Sequence, residues 1–493
     1  MILAGLILLP FLAGGMMFLL HSKKVIRGIL LSTAIIHFVL TMASWNLQNV
    51  PIMQGWIELD PVGLYFLSIV SLLFLVCAIY SMWYLAKEEK SSDHSDADGF
   101  PFLSNEPDNV FCSCLLFFLG SMTLVCCSHH FGLMWVGIEA TTLASAPLIY
   151  FHRRQSSLNA TWKYVLICSV GIGLALLGNL LLAVSASKIN MAETHLNLAT
   201  LLGNSKLLQP EWLKTAFIFF LVGYGTKMGL APFHSWLPDA HSESPSLVSA
   251  LLSGALLNCA FLGILRAHQV CIATGVGDFS SGLMIFFGLF SMVYAALFIV
   301  AQKDFKRMLA YSSVEHMGII AFGTGLGVAA LPATMFHILN HSLTKGLLFI
   351  VAGNIIATYR SRTISDVSGM LRKIPFSAVL WIAGILSITG TPPFSVFFSE
   401  FNIFKNAICS SRYIEGAIFL SVLAVVFSSM SYAMMKMIYG KSDAGTATHS
   451  EENLLNILPP AALCILSLIL GLYMPEFLRN TLNQVSMCIG GGF

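Results

Sequence analysis

Apolar segments long enough to cross about 30 Å of hydrocarbon recur along the whole chain, separated by short polar turns. They predict about fourteen membrane-spanning helices, at 1–21, 26–46, 61–85, 110–129, 131–150, 162–186, 213–232, 245–266, 279–301, 308–328, 331–357, 376–397, 415–437 and 454–474. The expected fold is therefore all-α and polytopic. The first segment, MILAGLILLPFLAGGMMFLLHSKK, carries its lysines after the apolar stretch. An export signal has the opposite order, so this segment reads as a retained span.

Two of these helices contain a proline-rich break, and the breaks resemble each other. GTKMGLAPFHSW at 225–236 and ITGTPPFSVFF at 388–398 both place threonine and glycine ahead of a Pro-Phe pair. Proline removes a backbone donor and clashes with the preceding turn, so each helix should be interrupted there, the first between about Leu230 and Pro238. The stretches 110–266 and 279–437 each hold five expected spans with the break in the fourth, which makes broken helices of the seventh and twelfth. Broken helices at matching positions of two repeats point to a transport site. An odd number of helices per repeat inverts one half against the other. The organisation expected is an N-terminal three-helix segment (1–109), two inverted five-helix repeats (110–266 and 279–437) and a C-terminal helix within 438–493.

Composition agrees. The 493 residues are 56% apolar and 10% charged, and the mean hydropathy is +0.79; soluble domains carry roughly 25% charged residues. A net charge of +2, widely spread, gives no reason to expect nucleic-acid binding. Of the eleven cysteines, Cys77, Cys126, Cys127, Cys168, Cys259 and Cys464 lie in apolar runs and read as small apolar fillers. No C-x-x-C, no Walker A sequence and no G-x-G-x-x-G after a strand is present, and the loops are short. No cofactor is expected on this chain, and its energy source should lie on another.

Charge also sets the orientation. With the N-terminus outside, seventeen Lys and Arg residues fall in loops expected to be cytoplasmic, among them Lys87, Lys90, Arg153, Arg154, Lys163, Lys306, Arg307 and Lys441. Seven, including Arg266 and Lys405, fall on the opposite side, and Lys227 and Lys345 stay in the membrane. Both termini should face outward. The loop at 87–109 is acidic, but acidic residues count little in this rule.

An ionisable side chain at the bilayer centre costs roughly 2.5–3.5 kcal/mol even on lenient scales, so the few present are candidates for function. Glu139 stands midway along the fifth span; otherwise it is a carboxylate satisfied by His129 or His130 and the helix dipole. Lys227 precedes the first break; otherwise it snorkels to the interface. The break should free backbone carbonyls for its ammonium, and a nearby carboxylate would let the pair loosen and re-form as a proton passes. His234 lies within that break. His337, His341 and Lys345 follow at i, i+4 and i+8, forming one polar stripe that suits a proton relay or a water-lined path. Glu400 follows the second break, as a titrating group or an interfacial charge. Glu315 and His316, at the start of the tenth span, read equally as a cytoplasmic access point or a structural pair.

With WVGIEATTL, KMGLAPFHSWLPDAHSESPS, LAYSSVEHMG and HSLTKGLLF in place, the chain resembles the antiporter-type proton-translocating subunits of respiratory complex I, Mrp sodium/proton antiporters and group 4 hydrogenases. YSSVEHMG, and the ATTL after Glu139, are most similar to the F-subunit branch of hydrogenase-4 and formate-hydrogenlyase-type complexes. The resemblance implies fourteen helices with two inverted five-helix repeats and a polar axis at mid-membrane. Partners would be other antiporter-like and small membrane subunits, the lipid bilayer, and soluble redox subunits that carry the NiFe and iron–sulfur centres. By the same resemblance Glu139 matches the fifth-helix glutamate, Lys227 the seventh-helix lysine, Lys345 with His337 and His341 the eleventh-helix row, and Glu400 the twelfth-helix charge. One position departs: Asn258 stands where many relatives have lysine or histidine, and an amide bonds water but takes up no proton at neutral pH.

The expected function is thus a proton-translocating subunit of a hydrogenase-type or complex-I-like pump in a prokaryotic inner membrane. The alternatives are a sodium/proton antiporter or inorganic-carbon uptake subunit, and a membrane-arm scaffold without transport of its own.

Overall fold

The computed structural model describes residues 2–47, 51–95, 105–189, 196–440 and 452–490. In chain order the helices are α1 (Ile2–Met17), α2 (Lys23–Ala43), α3 (Pro61–Ser95), α4 (Asp108–Cys127), α5 (Phe131–Ile149), α6 (Gln155–Ser185), α7 (Leu198–Gly203), α8 (Pro210–Met228), α9 (Leu237–Glu243) and α10 (Ser246–Leu251). They continue with α11 (Leu257–Ala273), α12 (Gly277–Val300), α13 (Phe305–Gly325), α14 (Leu331–Tyr359), α15 (Met370–Lys373), α16 (Pro375–Ile388), α17 (Ser395–Cys409), α18 (Tyr413–Tyr439), α19 (Leu454–Leu472) and α20 (Glu476–Ile489). The described residues contain isolated bridges but no strand. The all-α expectation holds.

Ten of the described segments are long and apolar enough to cross a membrane. The other expected spans fall on helices that are short, broken or more heavily charged. Helix α1 has 16 residues and α16 has 14, while α8 carries Glu211, Lys214 and Lys227, and α13 carries Lys306, Arg307 and Glu315. Large apolar side chains such as Leu143, Val170, Leu297, Ile414 and Tyr432 are exposed. This inverted outer surface suits hydrocarbon, because an apolar side chain loses nothing there.

Both breaks are present. Helix α8 stops at Met228, where Gly229 takes φ +88°, a left-handed conformation that favours glycine, and helix resumes only at Leu237. Pro238 sits in the first turn of α9, where its missing N–H costs little. The second break separates Ile388 from Ser395, with Gly390 at φ +64°.

The expected span at 245–266 differs. It runs from Ser246 to Ala273 around a π-helical turn at Leu252–Leu256, and it is enclosed by protein from Ser246 through Cys271. Together with α14, which is also largely enclosed, it forms the centre of the bundle. At the C-terminal end, α19 is the expected helix; α20 is an additional one, turning Leu482, Val485 and Ile489 inward.

Two charges counted in loops are instead buried on helices. Arg266, on α11, is 2% exposed and donates to Asp60 at 2.5 Å, just ahead of α3. His129 Nε2 lies 3.3 Å from the same carboxylate. Charge counting alone overlooks this pairing because Asp60 is distant in sequence. Lys306 is 2% exposed in the first turn of α13, donating to the Ser244 carbonyl at 2.6 Å. The acidic loop at 87–109 is described only outside 96–104; Lys441 and the side chain of Lys90 lie outside the described residues. All eleven cysteines are free, and of the six read as fillers all but the half-buried Cys464 are buried.

Candidate functional site

Helix α5 is capped by His130, whose Nδ1 accepts from the Gly132 and Leu133 amides at 3.1 and 3.3 Å. His129 faces the Asp60 carboxylate, 3.3 Å away, and makes no described contact with Glu139. Neither histidine serves Glu139, which stands two turns further on. Its Oε1 accepts from Ser169 of α6 at 2.8 Å, and its Oε2 accepts from Thr142 at 3.2 Å. Glu139 is half-buried, bordered by exposed Val136 and Leu143 and by Leu166 and Val170 of α6.

Lys227 is fully buried in the last turn of α8. Its Nζ donates to Thr142 Oγ1 at 2.8 Å and to Tyr164 OH at 2.6 Å, and lies 4.4 Å from the centre of the Tyr164 ring. The expectation that the break's carbonyls would hold this ammonium is not met. Those carbonyls are taken locally: Gly225 O by the Gly229 and Leu230 amides, and Thr226 O by Trp236 Nε1 at 2.8 Å. Glu139 and Lys227 form no direct ion pair. Instead the Thr142 hydroxyl accepts from the ammonium and donates to the carboxylate, so one side chain joins the two charges. Ser145 Oγ lies 2.6 Å from Tyr164 OH and extends the network.

The second cluster gathers on α13, α14 and α17. Lys345, also fully buried, donates to Leu309 O at 2.8 Å and to Ser312 Oγ. His316 Nδ1 lies 2.9 Å from His337 Nε2, His316 Nε2 lies 3.1 Å from Ile388 O, and His337 Nδ1 lies 3.0 Å from Ser399 Oγ. The His341 ring sits 5.2 Å from that of His316, and neither of its nitrogens has a hydrogen-bond partner among the described residues. Glu315 Oε2 and Glu400 Oε1 are likewise buried without a partner. Glu400 is 5% exposed, with its carboxylate directly against Gly390, so it is no interfacial charge. Glu315 and His316 lie midway along α13, wholly enclosed, and not at the surface.

Between the clusters stands Asn258, two residues past the π-helical turn. Its amide donates to Gly254 O and to Ser342 Oγ of α14, each at 2.8 Å, while Oδ1 is buried without a partner. Of the expected residues, His234 joins neither group by a described contact; its ring packs edge-on to Tyr294 and Tyr311.

Sequence reasoning passed over Thr142 and Tyr164 as partners of the ammonium. The i, i+3 spacing from Glu139 was a signal for Thr142, since both then lie on one helical face. Tyr164 had none. His241, to which no sequence signal points, is fully buried on α9 and stacked on Phe349 at 5.0 Å, with neither nitrogen partnered among the described residues.

Comparison with known proteins converges on one family. Residues 128–430 match the profile described as NADH:quinone oxidoreductase/Mrp antiporter, transmembrane. A hydrogenase-4 component F homolog from Methylacidiphilum infernorum is 36% identical over 369 residues, 74% of this chain and 76% of that protein. Hydrogenase-4 component B of Escherichia coli is 29% identical over 438 residues, 83% of this chain and 62% of that protein. The chain thus spans three quarters of one relative and less than two thirds of the other. A subunit of an archaeal membrane-bound sulfane sulfur reductase shares the fold, with TM-score 0.85 at 20% identity over 99% of this chain and 97% of that one.

Proposed function

Because this chain belongs to the NADH:quinone oxidoreductase/Mrp antiporter transmembrane family, we propose that it translocates protons as an antiporter-like subunit of a hydrogenase-type or complex-I-like redox-driven pump. In this reading it crosses a prokaryotic inner membrane fourteen times, with both termini outside and two inverted five-helix repeats at 110–266 and 279–437. Its partners are other membrane subunits and soluble redox subunits, and the NiFe and iron–sulfur centres are theirs.

The observation that carries the proposal is the single hydroxyl of Thr142 between a buried ammonium and a carboxylate. Each charge is costly in hydrocarbon alone and far less so when joined to the other. Protonating Glu139 weakens its bond to Thr142, and the loss is felt at Lys227 through the same oxygen. Lys227 then favours its neutral form and gives up a proton. Release from a lysine requires that its ammonium have a receiving network, and the Thr142, Tyr164 and Ser145 hydroxyls supply one.

From there the path runs to Lys345, His341, His316, His337 and Glu400. Asn258 and Ser342 lie on the way, and neither titrates at neutral pH. Asn258 Oδ1, both nitrogens of His341, Glu315 Oε2 and Glu400 Oε1 are buried atoms without a partner among the described residues. Water partners them in this account and conducts past Asn258, since such sites are polar and each water serves several groups.

The test is proton uptake by vesicles containing the assembled complex. Glu139→Gln and Lys345→Ala should assemble normally and lower uptake by about tenfold or more, the loss of one stabilising interaction with a charge. Wild-type uptake by both would support the scaffold reading, which draws on the amide at Asn258.

A further inference from the structure

The paired imidazoles of His316 and His337 face each other in a way that no neutral state satisfies. Ile388 O only accepts, so His316 Nε2, at 3.1 Å, carries that ring's proton and Nδ1 is bare. Ser399 gives its own proton to Val396 O at 2.8 Å and accepts from Asn340 Nδ2 at 3.3 Å. Its oxygen therefore also accepts from His337 Nδ1, which places the His337 proton there and leaves Nε2 bare. Two nitrogen lone pairs then meet at 2.9 Å. Beside them Glu400 Oε1 is buried without a partner, and donor atoms of all three residues lie within 4.8 Å of one another.

Two facing lone pairs and an unpartnered carboxylate oxygen suit a shared cation. We propose that the same three side chains form a transition-metal site, of the Zn²⁺ class, in which the bound metal occupies the proposed path and blocks it. Two imidazoles and a carboxylate suit zinc, whereas hard alkali cations favour all-oxygen ligands. Zinc–nitrogen and zinc–oxygen bonds of about 2.0–2.2 Å need donors somewhat further apart than 2.9 Å, so a small rotation of one ring opens the site. The outer partners already match: ligating histidines donate their second N–H to a carbonyl or similar acceptor, as His316 does to Ile388 and His337 to Ser399. In the second break Pro392 and Pro393 are exposed, two and three residues past the Gly390 that abuts the Glu400 carboxylate. Binding requires only the geometry; the block rests on the proton-path reading above.

The two are separable by measuring bound zinc and proton uptake on the same purified complex. After chelation, the complex is dialysed against zinc chloride and its bound zinc counted by mass spectrometry. Wild type should hold about one more zinc ion than His316→Ala, His337→Ala or the near-isosteric Glu400→Gln, a three-ligand site losing a ligand in each. His37→Ala, at a buried histidine bonded to Ser71 and Thr123 well outside this path, should keep wild-type zinc. Zinc should also inhibit wild-type uptake. Should all assembled variants bind as much zinc as wild type, the metal site is overturned whatever their uptake. If zinc is lost but His337→Ala pumps at the wild-type rate, the metal site stands and the proton path through His337 fails.

Discussion

Lys227 and Lys345 are both wholly buried ammonium groups, yet they are held differently. Lys227 is gripped by two side-chain hydroxyls on two other helices, and one of those hydroxyls also holds Glu139. Lys345 is gripped by a backbone carbonyl and one hydroxyl, both on α13, and its surroundings contain histidine and carboxylate atoms with no partner. The first site is a filled network, in which a change at the rim reaches the lysine through fixed bonds. In the second, both nitrogens of His341, Glu315 Oε2 and Glu400 Oε1 have no partner among the described residues. Hydroxyls can donate and accept in turn, which a carbonyl cannot, so the first site is the one suited to coupling two charges.

Removing the shared hydroxyl should break the first half most severely. Thr142→Val leaves the ammonium with Tyr164 alone, and a hydrogen bond to a charged group is worth about 1.5–3 kcal/mol. Uptake by assembled complex should fall about tenfold or more, while Thr142→Ser restores most of it. In the second half the matching intervention is Gly390→Ala. A Cβ there meets the Glu400 carboxylate, and φ +64° disfavours any side chain. The displaced carboxylate should lower uptake several-fold, roughly as the ~1–2 kcal/mol typical of such backbone strain implies. Gly390→Ala matching wild type would mean that Glu400 does not act from its observed position.

The contrast between the halves was only partly legible in the sequence. Glu139, Lys227, Lys345 and Glu400 stand out because a charge in an apolar run is rare and costly. The breaks stand out because Pro232, Pro392 and Gly229 change the backbone in ways few other residues do. Thr142 and Tyr164 do not, since hydroxyls are tolerated throughout membrane helices and reveal nothing until three helices are brought together. Arg266 was misplaced for a related reason. A charge near the end of an apolar run reads as a loop residue until its partner is found, and Asp60 is 206 positions away.

Asn258 joins the halves, and its effect should be smaller. Asn258→Ala removes the bonds to Gly254 and to Ser342, of which only the second reaches another helix, and leaves room for water, so uptake should fall about twofold to fivefold, the scale of one neutral hydrogen bond. A loss as deep as that of Thr142→Val would make the amide an obligatory member of the path.

Asp60→Asn should change uptake per assembled complex least and stability instead. Burial raises the Asp60 carboxyl pKa, but the Arg266 guanidinium and His129 outweigh it and hold the group well below the usual carboxylate range. A depressed value contributes stability above the ordinary carboxylate pKa of about 3.9 and loses it only as pH falls through the lower folded value. Thermal unfolding of the complex should therefore show wild type ahead of Asp60→Asn at pH 7 and by the same margin at pH 5. A margin that vanished between those values would refute the pairing.

The central claim is that Lys227 releases a proton and does more than balance Glu139. Arginine keeps the charge and the donors but does not give up its proton at workable pH. The most direct measurement is proton uptake by reconstituted vesicles bearing Lys227→Arg, normalised to assembled complex, beside Lys227→Ala. The account predicts assembly close to wild type for Lys227→Arg, with uptake near background for both variants. Wild-type uptake in both would make Lys227 a structural residue and contradict it.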